Sequence, residues 1–294
     1  MSWQHLVFCR AMVDRAAHRR GDAAWLAEAW PGARVLVVGP RGEVLVSGGD
    51  ESPKLALLPS ADVPEGERLF LGADGERAYF AIAGDLPDVE GAHPEQLRTV
   101  GDRLDAYDQA LLAEAIGLVN WRRSYLYSPM TGARLVPQSA GWELAAEDGS
   151  GVIWPRTNPA IIVLVHDGVP GGEGQCLLTR QPNWPAGRYS CVAGFVEPGE
   201  SAEAAVHREV FEETGVEIRE VSYVASQPWP VPASLMLGFT ALGDPSQPVV
   251  VGEDELEDAR WFTRARLLGP DSPLGPSPVS ISHHLITAWR DASG

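Results

Sequence analysis

Between Ala33 and Ala83 short apolar runs (ARVLVVG, EVLVS, KLALL, RLFLG and RAYFAIAG) alternate with Gly, Pro and Asp turns. That spacing predicts a small antiparallel sheet. Leu104, Tyr107, Leu111, Leu112, Ala115, Leu118 and Val119 then recur at helical spacing, so 102–121 reads as an amphipathic helix packed on that sheet. Over 124–153 the periodicity fades, and the stretch reads as an irregular connector, longer than the usual loop. A buried-strand run from Ala160 to Val165 opens a second pattern: a Gly-rich turn, a strand through Cys176 to Arg180 and another near Ser190. A helix follows over 201–214, with Ser201 at its cap and Gly215 just past its end; strands near 220–226 and 235–242 and a helix near 280–290 complete the pattern. Strands on both sides of a helix imply a mixed sheet with helices on its faces. The predicted fold class is α/β (α+β), with a small mixed α/β domain over 1–123, the connector over 124–153 and a second α/β domain over 154–294.

The chain has 294 residues, enough for two cores, and its 45% hydrophobic and 21% charged residues exclude wholesale disorder. Its longest apolar run, about six residues, falls far short of the ~18 that a membrane span needs. The N-terminus lacks the apolar core of a secretion signal, so a cytoplasmic protein is expected. With 40 acidic and 23 basic residues the formal charge is -17, and the overall field repels polyanions. A phosphate-bearing substrate therefore needs a metal or a local basic cluster. Cys9, Cys176 and Cys191 include no C-x-x-C pair, which excludes a disulfide framework and a thiolate zinc site.

The stretch GFVEPGESAEAAVHREVFEETGV, from Gly194 to Val216, carries the chemistry. On a helix Glu209, Glu212 and Glu213 project from one side, and like charges so placed repel unless a cation or basic partner compensates them. Mg2+ or Mn2+ suits oxygen ligands and bridges to substrate phosphates. The bland alternative is a solvated helix face with Arg208 paired to Glu212. Against it stands the match to G-x5-E-x7-R-E-U-x-E-E-x-G-U at Gly194, Glu200, Arg208, Glu209, Val210, Glu212, Glu213, Gly215 and Val216. By residue frequencies a chance match is on the order of one in a million.

This segment resembles the Nudix box, and the second domain is similar to the Nudix hydrolases, an α/β/α sandwich with a mixed sheet. The resemblance implies that Glu209, Glu213 and the Ala193 carbonyl hold the metal, that Glu212 assists metal or water, and that Arg208 braces the loop from Gly194 to Gly199. Downstream, SQPWPVPAS (226–234) is read blandly as a stiff surface loop. It also resembles the signature of the NADH pyrophosphatase, or NAD-capped RNA hydrolase, branch, with Val231 in place of the usual Phe. That implies substrate contacts from Gln227, Pro228, Trp229, Pro230, Val231, Pro232, Ala233 and Ser234. The same resemblance implies a nicotinamide held by Phe195 and Trp154, whose alternative role is core packing, a further metal ligand at Glu255, and substrate contacts at Arg98 and Ser282. It further implies hydrolysis of NAD(H) to NMN(H) and AMP, removal of NAD caps from RNA, and a homodimer. ADP-ribose or dinucleoside polyphosphate hydrolysis, or a catalytically silent ligand sensor, are the alternatives.

One departure is plain. Where the branch carries two C-x2-C pairs, this chain has Ser128, Thr131, Ala146 and Gly149, which cannot hold zinc, so a metal-free ribbon supported by packing such as Trp142 is expected. Gly141 likewise stands where the branch can have a substrate-binding Glu.

Overall fold

The computed structural model describes residues 6–10, 13–75, 77–251 and 256–292, and divides into two compact units. One, here the N-terminal unit, spans 7–157 together with 228–234; the other spans the described residues of 158–227 and 235–292 with Leu6.

In the N-terminal unit, α1 (Ala23–Ala29) is capped by the Asp22 carboxylate, which accepts from the Trp25 N–H at 3.0 Å. Seven strands follow: β1 (Arg34–Val38), β2 (Glu43–Ser47), β3 (Lys54–Leu55), β4 (Leu58–Pro59), β5 (Leu69–Asp74), β6 (Arg77–Ala83) and β7 (Ala92–Gln96). They form one sheet of order β3-β2-β1-β6-β5, with β4 on β1 and β7 on β2. The expectation of an antiparallel sheet needs correction, because β1 and β6 run parallel, Val35 opposite Phe80. That pairing joins strands about forty residues apart, so no local turn signal announces it. Phe70, Phe80 and Ile82 build the core on one face, closed by Trp25, Leu26 and Trp30.

Helix α2 (Leu97–Val100) leads into α3 (Ala106–Ser124), which packs on β1, β5 and β6. Burial extends beyond its aliphatic stripe to Asp108, Gln109 and Glu114. The first two find backbone partners: Asp108 accepts from Leu55 N–H at 2.8 Å, and the Gln109 amide donates to the Leu104 carbonyl at 2.8 Å.

The expected irregular connector is in fact a small antiparallel sheet, β8 (Leu135–Gln138), β9 (Glu143–Ala146) and β10 (Val152–Ile153), in order β10-β9-β8. Strands of two to four residues are too short to leave a legible alternation. Leu135, Leu144 and Ala146 pack with Trp121 of α3 at its core. Trp142 is not part of that cluster: its indole N–H donates to the Phe70 carbonyl at 2.7 Å. At the four positions without cysteine two turns close on themselves, Gly132 N–H to Ser128 carbonyl at 2.8 Å and Gly149 N–H to Ala146 carbonyl at 2.9 Å. The hydroxyls of Thr131 and Ser150 link them at 3.2 Å.

The second unit holds β11 (Asn158–His166), β12 (Gln175–Arg180), β13 (Val192–Phe195), α4 (Ala202–Thr214), β14 (Ile218–Trp229), β15 (Ser234–Gly243), β16 (Asp258–Thr263), α5 (Arg264–Leu268) and α6 (Ile281–Asp291). Its sheet has the order β14-β15-β11-β12-β16, with β13 antiparallel to β11. Ile161, Val163 and Val165 of β11 meet Val206 and Val210 of α4 in a core completed by Leu177 and Phe239. The stretch expected as a stiff loop starts as strand, since β14 runs on through Trp229. No helix among the described residues is long and apolar enough to cross a membrane.

Candidate active site

Helix α4 is set by its ends. The Ser201 hydroxyl accepts from Ala204 N–H at 3.1 Å, and Gly215, left-handed at φ 70°, ends the helix with its N–H on the Phe211 carbonyl at 2.8 Å. Val206 and Val210 are pulled into the core, and this rotation brings Glu209 and Glu213, four residues apart, to the same buried side. Their exposures are 9% and 7%, while the Glu212 side chain is 58% exposed.

The box begins with glycine for a steric reason. Gly194 pairs with Ile161 in the β13–β11 ladder, and the Glu209 carboxylate occupies the space where its Cβ would stand. Any side chain there would collide with the carboxylate. Ala193, its neighbour, is exposed and lies opposite Ile162.

Arg208 organises the rest. Its guanidinium donates to both oxygens of Glu200, at 2.8 and 2.9 Å, and to the Phe195 carbonyl at 2.9 Å. Its remaining nitrogen reaches Glu209 Oε1 at 2.9 Å and Glu212 Oε2 at 3.0 Å. One planar cation thus ties the loop after β13 to the acidic helix, and it uses one oxygen of each of the two helix carboxylates. The Arg208 bonds, followed by the Glu197 N–H, hold the Glu200 carboxyl down at about 2. The same ion pairs raise Arg208 further. The structure thus places Arg208 against both the loop after β13 and Glu212.

The donor chemistry suits a hard divalent cation: carboxylates spaced one helical turn apart, beside a strand edge with an exposed carbonyl-bearing residue. Among the described residues no group of three His, Cys, Asp or Glu side chains is placed to hold a metal ion. Glu255 lies outside the described residues.

The signature stretch divides. Gln227 is fully buried, and its amide is engaged at both ends: it donates to the Val279 carbonyl and accepts from Ile281 N–H, each at 2.8 Å. Ser282 is buried on α6, where its hydroxyl meets Ser190 Oγ at 2.7 Å and accepts from Cys191 N–H at 3.1 Å. Both side chains therefore tie α6 to the sheet from within the second unit. Residues Pro228 to Ser234 belong to the N-terminal unit, where Arg98 of α2 places its guanidinium 5.4 Å from the Trp229 ring centre. Pro230 and Ser234 are buried there, and Trp229, Val231 and Ala233 are half-buried.

Sequence reasoning missed Asn120. Its amide donates to the Pro230 carbonyl at 2.7 Å and the Pro232 carbonyl at 3.3 Å, clamping the turn to α3. A lone amide within the apolar run LVNW was the available signal. Phe195 and Trp154, for which core packing was the alternative, are 58% and 60% exposed. Trp154 donates its indole N–H to Glu143 at 3.3 Å. Gly141, left-handed at φ 90°, packs against Leu69, which leaves no space for a larger residue.

A sheet with an acidic, arginine-braced helix at a glycine strand edge defines a Nudix domain. Residues 156–284 match the model described as NUDIX domain, and residues 31–121 match an NADH pyrophosphatase-like rudimentary NUDIX domain. A NAD-capped RNA hydrolase NudC of Mycobacterium bovis is 38% identical, covering 95% of this chain and 93% of its own. The human NAD-capped RNA hydrolase NUDT12 is 31% identical over 96% of this chain and 72% of its own. A solved NUDIX hydrolase from Nitrosomonas europaea aligns with 56% of this chain and 90% of its own, at 16% identity and a TM-score of 0.44. The chain belongs to the Nudix hydrolase family, in its NADH pyrophosphatase-like branch.

Proposed function

We propose that the protein hydrolyses the diphosphate of NAD(H) to NMN(H) and AMP in a divalent-metal-dependent reaction, and removes NAD caps from RNA. The observation that carries this reading is the carboxylate set of α4, seated on Gly194 and braced by Arg208, in a chain that also bears the 226–234 signature. The names of its relatives support the substrate.

Glu209, Glu213 and the Ala193 carbonyl would hold Mg2+ or Mn2+, with Glu212 and Glu255 assisting. A bound divalent ion supplies charge neutralisation on the phosphoryl oxygens and a more acidic water. Water adds to one phosphorus, the bond from that phosphorus to the bridging oxygen breaks, and two monophosphates leave without a covalent protein intermediate. Arg208 keeps the carboxylates and the Phe195 loop in register. Phe195 and Trp154 would offer aromatic faces to the nicotinamide, and Trp229 and Arg98 would contact substrate. Gln227 and Ser282, expected at the substrate, would act by holding α6 to the sheet. The domain division 1–123, 124–153 and 154–294, a zinc-free connector, a homodimer and a cytoplasmic location belong to the same reading.

The test is product analysis with NADH, NAD+, ADP-ribose and diadenosine polyphosphates under Mg2+ and under Mn2+. NMNH and AMP should form and be lost in Glu213→Gln. Turnover of ADP-ribose or polyphosphates alone would refute the substrate assignment.

A further inference from the structure

Arg20 and Arg68 line a cavity of about 350 Å3 whose walls all belong to the N-terminal unit and none to the acidic helix. Each guanidinium rests on an indole, Arg20 at 3.5 Å from the Trp142 ring centre and Arg68 at 3.9 Å from that of Trp30. The indoles are themselves fixed. Trp142 is bonded to the Phe70 carbonyl, and Trp30 sits edge-on to the core ring of Phe80 at 5.2 Å. Stacking holds a planar cation by its face and leaves the N–H donors at its edge available to a ligand.

The neighbouring carboxylates have other cationic partners, although Glu114 also acts electrostatically on Arg20. Glu67, also on the wall, takes a two-pronged bond from Arg122 at 2.7 to 3.0 Å, and buried Glu114 pairs with Arg15 at 3.3 Å. Among the described residues neither Arg20 nor Arg68 forms an ion pair, and Arg20 Nε is buried without a hydrogen-bond partner. Arg68 is exposed and Arg20 half-buried, so this cavity presents two cations in a chain whose 40 acidic residues outnumber its 23 basic ones. Part of the wall is the turn Ser139 to Gly141, three successive left-handed residues at φ 47°, 50° and 90°. Left-handed backbone at residues with side chains is costly, and it persists where a site needs a set shape.

We propose that this cavity binds a phosphate monoester, with its phosphate held by the guanidinium forks of Arg20 and Arg68. The fork geometry matches phosphate oxygens, and the volume lies within the range of small-ligand pockets, ~300–1,000 Å3. The preformed stacks lower the ordering cost of binding.

The experiment is calorimetric titration of the full chain with AMP and with inorganic phosphate, in EDTA so that binding through the acidic helix is suppressed. Saturable binding is expected for wild type, weakened at least about tenfold in Arg20→Gln and in Arg68→Gln, with an unchanged thermal midpoint. Arg20→Lys keeps the charge without the fork and should fall between them, which covers failure of the Gln variant to fold. A 5′-hydroxyl oligoribonucleotide, carrying only phosphodiesters, should not displace AMP. Absence of saturable binding, AMP affinity unaltered in the double Gln variant, or displacement by the oligoribonucleotide would each overturn the proposal.

Discussion

A single methyl group at Gly194 should separate the fold from the chemistry. The Cβ of Gly194→Ala would fall on the Glu209 carboxylate, closer than any non-bonded pair tolerates, so one of the two must move. Strand β13 is held on β11 by pairing over Ala160–Val163, and α4 is held by Val206 and Val210 in the core. The carboxylate is therefore the part that yields. Clearing a methyl requires a displacement on the order of 1 Å, and a misplacement of that size in a positioned group costs about 10²-fold in rate. The displaced group would also strain the bond from Arg208 to Glu209 Oε1, so that the brace and the carboxylate are disturbed together. The assay is steady-state NADH hydrolysis over a titration of Mg2+ and of Mn2+, with thermal unfolding in parallel. Expected are a kcat lower by about two orders of magnitude, a higher metal requirement and a small change in midpoint. Activity within threefold of wild type would refute the claim that Glu209 works from the position it occupies against Gly194, and global unfolding would show that the ladder, not the carboxylate, gave way.

Asn120→Ala removes the clamp on the 228–234 turn, losing about 1 kcal/mol of ordering, which should raise KM for NADH about fivefold with little change in kcat; equal losses in both would contradict a positioning role. Burial pushes the Glu114 carboxyl up to about 7 from its ordinary 4.5, against the opposing pull of Arg15 and Arg20. The folded state thus holds this proton more tightly than the unfolded state, and the contribution of Glu114 to stability falls as pH rises between those values. Glu114→Gln should gain on wild type across that window by ~3 kcal/mol at most, read as the difference between their unfolding curves; no pH-dependent difference would refute it. EDTA should abolish hydrolysis yet leave the unfolding midpoint of the connector region unchanged, since Trp121, Leu135 and Leu144 rather than a metal hold it; loss of structure on chelation, seen by circular dichroism, would contradict this.

Legibility followed the range of the forces involved. Helix α4 was readable to its ends because its cap, its glycine stop and its apolar stripe are all local; helical spacing placed Glu209 and Glu213 together, while Glu212, expected beside them, is exposed. The parallel pairing of β1 with β6 was not, because register between distant strands leaves no mark in a short window. The connector failed for a related reason: Val136, Pro137 and Gln138 are all exposed, and its strands are too short to show alternation. Gln227 illustrates a third limit. Its type and place suggest a polar contact with ligand, yet both ends of its amide serve backbone groups near the start of α6, which only the folded chain brings beside it. Asn120 is the converse, a residue with no motif around it that gains its role from a turn 110 positions away.

Charge arithmetic at the box gives an independent reason for metal dependence. Among the described residues Arg208 is the one guanidinium with a salt bridge to the acidic helix, and it is enclosed by Glu200, Glu209 and Glu212, with Glu213 one turn from Glu209. Formally that is one positive charge among four negative ones, and the positive charge already has three carboxylate partners. A diphosphate approaching this surface would meet a repulsive field, in a protein whose total charge is also negative. Removing Arg208 would not invite a cation in a controlled way, because the carboxylates would then lose the contact that sets their geometry. Keeping it, as here, uses one oxygen from Glu209 and one from Glu212 and leaves the set with the excess negative charge that a divalent cation requires. The arginine and the cation are thus complementary: the first orders the carboxylates, and the second reverses the sign of the surface they present to phosphate.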